Sequence, residues 1–180
     1  MNESPAAVPS PPVESYRDRV ARAIARIAAD IDHDVISSGD RAALRRGWES
    51  GPGPAFWRLA VHRLEPLGLA TTKREEQGWS IVVAGIAHTY QLPRSGLRFG
   101  RAAATAEVSE MRLLRLLRSE GPTLHRILRG VVHQLAQAGL GFDWLDPALL
   151  VLRDGQPGRR NVERRIARDY YRSLPRETET

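Results

Sequence analysis

The chain has 180 residues, which suits one domain or two small helical subdomains that share a core. It contains no cysteine, which excludes disulfides, cysteine-based metal sites and thiol catalysis. The sequence also lacks a signal-peptide pattern and a long apolar run, so we predict a cytoplasmic protein without membrane association. The formal net charge is +6, and Lys73 is the single lysine among 27 basic residues, so this arginine-rich chain favours acidic partners such as nucleic acid.

The distribution of proline and glycine predicts the domain organisation. The Pro-rich residues 1–12 cannot bury enough apolar surface to become ordered, so we expect a flexible tail there. We predict an N-terminal helical lobe at 13–95, a C-terminal helical lobe at 96–173 and a second flexible tail at 174–180. The segment 92–100, with its proline and glycines, is the predicted connection between the lobes.

Apolar periodicity predicts an all-α protein, a two-lobed helical bundle of about eight to nine helices. In chain order, helices are predicted at 15–34, in a short segment ending at Arg46, at about 55–67, at 79–90, and near 101–106, 109–119, 123–138, 146–152 and 160–172. The segment 79–90 fits either a buried helix or a strand, and its helical neighbours favour the helix. A loop is expected at 71–78.

Arginines recur on one side of four of these helices. In the clearest case, Arg112, Arg115 and Arg118 lie opposite the leucines at 113, 114, 116 and 117, so they should face outward. A row of guanidinium groups offers planar forks of donors to phosphates and keeps its charge. A coding preference for arginine, or an ordinary solvated face, would produce the same pattern.

No arrangement of residues indicates catalysis or a cofactor. No two histidines have the helical spacing of metal ligands, and Asp30, Asp32, His33 and Asp34 are explained by the polar end of a helix. The sequence contains no phosphate loop, dinucleotide glycine pattern or nucleophile elbow. We therefore predict a protein that is not an enzyme and that uses no metal or other cofactor.

Aromatic residues test whether bases could be bound by stacking. Phe56, Trp57 and Trp144 adjoin apolar positions and are predicted to pack in the core, whereas Trp48 and Tyr171 are predicted to be exposed. This distribution favours electrostatic contact with a nucleic-acid backbone over recognition of bases.

A series of local motifs resembles one known family. The motifs are Ser38–Arg46 followed after a Pro/Gly break by Pro54–Leu59, then Phe99–Ala102, Met111–Arg118, Leu124–Gly130, Asp143–Leu145 and Arg164–Tyr171. In this order and spacing they resemble the CasB family, the small subunits of the type I-E CRISPR surveillance complex called Cascade. The resemblance covers nearly everything from about residue 15 to 172.

The resemblance implies an all-α, two-lobed, non-enzymatic protein that acts in antiviral defence. The implied partners are the guide RNA, the target and displaced DNA strands, the backbone and large subunits of Cascade, and a second copy of the chain. The basic surfaces of family members help to hold the DNA strands and so stabilise the R-loop.

Candidate nucleic-acid-binding residues follow from the arginine stripes and from the resemblance. The resemblance places Arg45 and Arg46 on paired arginines of the family, while Arg126 is offset from a basic position. The full candidate set is Arg45, Arg46, Arg101, Arg112, Arg115, Arg118, Arg126, Arg129, Arg164, Arg165 and Arg168.

Three alternatives to this interpretation stay open. Arg45 and Arg46 could instead form salt bridges with Asp40 or Glu49. The basic faces could dock acidic surfaces of proteins, which would make the chain a protein–protein scaffold. A free-standing DNA-binding protein would need base-reading Asn or Gln residues on its helices, and the Arg-rich helices have almost none.

Overall fold

The computed structural model describes residues 14–33, 35–93 and 96–175. Within these ranges the chain forms ten α-helices, one short 3-10 helix and no strand, which confirms the all-α prediction and slightly exceeds the predicted number of helices. The helices are α1 Tyr16–Asp32, α2 Ser38–Arg45, α3 Gly47–Ser50, α4 Pro54–Arg63, the 3-10 helix Glu65–Leu67, α5 Lys73–Thr89, α6 Phe99–Thr105, α7 Glu110–Arg118, α8 Gly121–Gln137, α9 Leu145–Leu152 and α10 Arg159–Tyr171. The predicted tail at 1–12 and most of the one at 174–180 lie outside the described residues.

Hydroxyl side chains cap four of the helices. Ser15, Ser37, Thr72 and Ser109 each accept a hydrogen bond from the backbone N–H three residues ahead, at the starts of α1, α2, α5 and α7. Such caps satisfy an N–H group that has no partner within the helix. The cap at Thr72 also shows that the predicted loop at 71–78 is wrong beyond its second residue, because α5 begins at Lys73.

The central element of the fold is α5. It contacts α1, α2, α3, α8 and α9, and every residue from Gly78 to Ala87 is buried. A helix that is covered on all sides is apolar all round, which explains why its sequence lacks a clear helical period and fits a strand equally well. None of the helices in the described ranges is both long enough and apolar enough to cross a membrane.

Two glycines allow close contacts between helices. A Cβ atom on Gly85 of α5 would overlap the ring of Trp144, whose Nε1 donates a hydrogen bond of 2.9 Å to Thr89 Oγ1. A Cβ atom on Gly100 of α6 would overlap the backbone oxygen of Ile166 in α10. Both positions therefore require glycine for packing rather than for an unusual backbone angle.

One continuous hydrophobic core joins the two halves of the chain. Buried residues from α1 to α10 belong to a single cluster, and both α1 and α5 pack on α9. The boundary at 95/96 stays a prediction of domain organisation, and residues 94 and 95 lie outside the described ranges.

The aromatic side chains only partly follow the predictions. Phe56 and Trp144 are buried and Tyr171 is exposed, as predicted. The prediction for Trp57 is wrong, because this side chain is 42 % exposed on the outer side of α4. The prediction for Trp48 is also wrong, since it is half-buried against the core.

Candidate nucleic-acid interface

A groove lies on the surface where α2 and α3 approach the end of α5 and the middle of α8. We call it the arginine groove, and its charged and aromatic lining residues are Arg45, Arg46, Trp48, Glu49, His88, Arg126, Arg129 and His133. Four of the predicted candidates therefore line one surface, although two of them lie in each half of the chain.

The apolar face of α8 determines where its basic side chains point. Leu124, Leu128, Val131 and Leu135 are fully buried. Because these residues recur at intervals of three and four, they form one stripe, and Arg126, Arg129 and His133 are exposed on the other side of the helix. This arrangement agrees with the sequence analysis, in which arginines recur on one side of four helices.

Arg45 is held by contacts with Ala87 of α5 and with Tyr90, the first residue after α5. Its Nε donates a hydrogen bond of 2.9 Å to the backbone oxygen of Ala87, and its guanidinium carbon lies 5.5 Å from the ring centroid of Tyr90. These contacts orient the guanidinium group and leave its terminal nitrogens available for a ligand.

The two carboxylates considered as partners for Arg45 and Arg46 bind other arginines. Asp40 Oδ1 accepts from Arg58 at 2.6 Å, and Glu49 Oε1 accepts from Arg129 at 2.6 Å. Among the described residues, Arg46 has no ion pair.

The basic surface continues from the groove onto α7. Arg126 and Arg115 line a second depression together with Arg112. Arg115 and Arg118 border a third one, whose lining includes the exposed Met111. The arginines of α2, α8 and α7 thus form an almost continuous tract across three neighbouring depressions.

Arg112 does not face outward as predicted. It is half-buried, and its Nη1 donates a hydrogen bond of 2.8 Å to Gln134 Oε1 of α8. The side chain crosses α8 over Gly130, where a Cβ atom would lie 2.5 Å from Arg112 Nη2. The absence of a side chain on Gly130 is the physical reason why Arg112 can lie against the neighbouring helix.

The other candidates lie on α6 and α10, outside the arginine groove. Arg101, Arg164 and Arg168 are exposed and, within the described part of the chain, form no ion pair. Arg165 is half-buried, and its Nε and Nη2 lie 3.1 and 2.8 Å from Asp146 Oδ1, which ties α10 to α9.

Arg159 is a buried arginine whose role the sequence pattern missed, since its neighbours Arg160 and Arg164 are exposed. Its guanidinium bonds Glu163 at 2.7 Å, Asp154, and the backbone oxygens of Leu117 and Ser119 at the end of α7. Asp154 in turn accepts a hydrogen bond of 2.6 Å from the backbone N–H of Gly121, where α8 begins. The one signal in the sequence is the Arg159–Glu163 spacing of four residues, which is typical of a helical ion pair.

Two histidines contribute to the electrostatics of the groove. The rings of His88 and His133 lie 5.9 Å apart between centroids. Partial desolvation lowers the pKa of His88, and the charges of His133, Arg45 and Arg129 lower the same pKa further. Burial is thus the main cause of the lowered His88 pKa, and the cationic neighbours in the groove act in the same direction.

In the acidic segment at the end of α1, Asp30 forms an ion pair with Arg63. Asp30 Oδ2 and Oδ1 accept from Arg63 Nε and Nη2 at 2.5 and 3.0 Å. In the ranges that the structure describes, no three His, Cys, Asp or Glu residues could hold a metal ion together, and Asp34 lies outside those ranges.

The chain is an all-α protein with a tract of exposed arginines, a pattern that proteins with acidic partners share. Comparison with known proteins identifies the family. The family model described as CRISPR-associated protein Cse2 matches residues 40–171, which is well over half of the chain, so this chain belongs to the Cse2 family. Cse2 is the CasB small subunit of type I-E Cascade, and the resemblance found in the sequence is confirmed. Neither the curated proteins nor the solved structures include a match to the chain.

Proposed function

We propose that this Cascade subunit is non-catalytic and binds nucleic-acid backbone through the arginine groove, thereby stabilising the R-loop in antiviral defence. The observation that carries the proposal is that Arg45 at the end of α2 and Arg46 at its C-cap line the same groove as Arg126 and Arg129 of α8. The proposed ligands are the guide RNA and the target and displaced DNA strands.

The chemistry of the groove suits guide-directed recognition. Formation of an R-loop exchanges one duplex for another of similar stability, so contacts between protein and backbone can decide its outcome. Arginines that neutralise phosphates supply such contacts without sequence preference, as is required when base pairing with the guide selects the target.

We propose different roles for the arginines outside the groove. Arg115 and Arg118 extend the path of the strand along α7, because the depression lined by Arg115 shares Arg126 with the groove and shares Arg115 with the depression that Arg118 borders. Arg101, Arg164 and Arg168 form a second nucleic-acid contact on α6 and α10. We assign Arg112 and Arg165 mainly to positioning α7 and α10, because each already bonds a side chain of a neighbouring helix.

One surface favours a second function, that of a protein–protein scaffold. Met111 is 74 % exposed on α7, next to the half-buried Leu114 and to Arg115. Methionine and arginine are both enriched at protein interfaces relative to the rest of the surface. We propose that this surface contacts another Cascade subunit or a second copy of the chain while the groove binds nucleic acid.

The proposed function is tested by measuring the affinity of the purified full chain for labelled single-stranded DNA, duplex DNA and RNA across a salt series. The test variant replaces three groove arginines with alanine, namely Arg46, Arg126 and Arg129. If each contacts one phosphate of a single strand, the slope of log affinity against log salt should flatten by about 2, at roughly 0.7 per phosphate. The loss should be similar for unrelated DNA sequences.

A matched variant controls for the loss of net charge. It replaces three exposed arginines that do not line the groove, namely Arg26, Arg74 and Arg160. Its salt slope should stay close to that of the wild type. Absence of binding by the wild type at low salt, or equal losses in both variants, would contradict the groove assignment and favour the scaffold.

A further inference from the structure

Glu49 is the only acidic residue among the described residues that line the arginine groove. It lies on the single-turn helix α3, three residues after Arg46. Its Oε1 accepts a hydrogen bond from Arg129 Nη1 at 2.6 Å. The two residues lie in different halves of the chain and are 80 positions apart in the sequence. A carboxylate thus lies within a surface whose other charged groups are cationic.

The pair between Glu49 and Arg129 is easily broken. The two side chains are 63 % and 51 % exposed, so water screens their attraction and each can rotate away into solvent. Exposed pairs of this kind contribute little to stability. The contact therefore has little value as a structural link between α3 and α8.

The same contact has a clear consequence for anion binding. A carboxylate oxygen at hydrogen-bond distance from a guanidinium nitrogen uses the donor that a phosphate oxygen would use, and its charge repels phosphates nearby. While Glu49 is paired, the donors of Arg129 are partly occupied and the positive charge of the groove is reduced by one.

We propose that Glu49 is a built-in competitor that occupies Arg129 in the free protein and is displaced by a phosphate of the bound strand. This inference rests on the proposed function of the groove. Arg46 and Arg126 form no ion pair within the described residues, so they make the first contacts, and Arg129 joins when the strand is correctly seated. Glu49 then selects against ligands that offer a single phosphate and favours a strand that contacts several arginines at once.

The test compares Glu49→Gln with Glu65→Gln, each in the full-length chain. Glu65 is exposed at the start of the 3-10 helix and does not line the groove, so both variants gain the same net charge. Removing the competitor should tighten binding of a labelled single-stranded DNA roughly threefold to tenfold at low salt, as expected for one nearby charge in a solvated site. The salt slope should stay close to that of the wild type, because Arg129 already contacts a phosphate there once the strand has displaced Glu49. Glu65→Gln should leave both quantities close to those of the wild type.

Both glutamate variants are also made in the Arg129→Ala background. The gain from Glu49→Gln should shrink there, because the arginine that the competitor occupies is gone. Thermal unfolding of each variant checks that the fold is intact.

The possible results distinguish failure of the competitor proposal from failure of the proposed function. Equal effects of Glu49→Gln and Glu65→Gln would overturn the competitor proposal, as would a gain in affinity that is unchanged in the Arg129→Ala background. In either case, salt-sensitive binding by the wild type would still support the proposed function of the groove. Binding by Glu49→Gln alone would also overturn the competitor proposal, because a strand would then fail to displace Glu49 in the wild type. No binding by any variant would overturn both proposals.

Discussion

Replacing Arg159 with methionine should strongly destabilise the fold, although arginine is usually a surface residue. Its side chain is 7 % exposed and that of Asp154 is 17 % exposed. The substitution would leave Asp154 and Glu163 without their cation and would deprive the oxygens of Leu117 and Ser119 of a donor. Removal of one partner from a buried ion pair costs about 3–5 kcal/mol, and the partial exposure of Glu163 reduces our expectation to about 2–4 kcal/mol.

This loss is large compared with the roughly 5–15 kcal/mol that stabilises a typical native protein. At about 2–4 °C per kcal/mol for a chain of this size, the unfolding temperature should fall by roughly 4–16 °C. Urea denaturation followed by circular dichroism measures the free energy of unfolding directly. The adjacent Arg160 is exposed, so Arg160→Met serves as the control and should change stability by no more than about 0.5 kcal/mol. A loss below about 1 kcal/mol for Arg159→Met would refute the assignment of Arg159 as the link between the α7–α8 junction and α10.

Two further substitutions test the packing and the electrostatics. Gly85→Ala should lower the free energy of unfolding by about 1–3 kcal/mol, because the new methyl group overlaps the Trp144 ring. The control is Gly53→Ala, whose methyl group meets no atom within 4 Å and should have little effect in the same denaturation assay. For His88, NMR titration should give a pKa below the ordinary value of 6.5, and His133→Asn should raise it, since one source of positive charge is removed. Because the folded state binds this proton less tightly than the unfolded state does, stability should be greatest above pH 6.5 and should fall as pH decreases from 6.5 toward the lowered pKa. A His88 pKa that His133→Asn leaves unchanged would contradict the contribution of neighbouring positive charge in the groove.

The sequence alone determined the fold class and most helix positions. The apolar positions of α1, α7 and α8 recur at helical intervals because each of these helices buries only one face, and that period is visible in a single sequence. Capping residues such as Ser37 are equally local signals, since their partner lies three residues away. The order and spacing of the motifs were enough to indicate the family that the comparison with known proteins then confirmed.

The exposure of Trp57 and the burial of Arg159 were decided by tertiary structure. In α5 the stretch from Gly78 to Ala87 is buried all round and shows no helical period, whereas the start of the helix carries a local capping signal, Thr72 with Glu75. Tryptophan and arginine both combine an apolar body with a polar end, so either can lie on the surface or in the interior. Their positions depend on which neighbouring helices supply partners, such as Asp154 for Arg159.

The grouping of the candidate arginines is also a tertiary property. Periodicity indicates that Arg126 and Arg129 lie on the outer side of α8, but it cannot show that α2 and α3 pack beside them and bring Arg46 and Glu49 into the same groove. It also cannot show that Gly130 lets Arg112 turn away from solvent. Helical period is set by contacts between residues close in the chain, whereas the groove is formed by packing of helices about 80 residues apart, and only the folded structure contains that information.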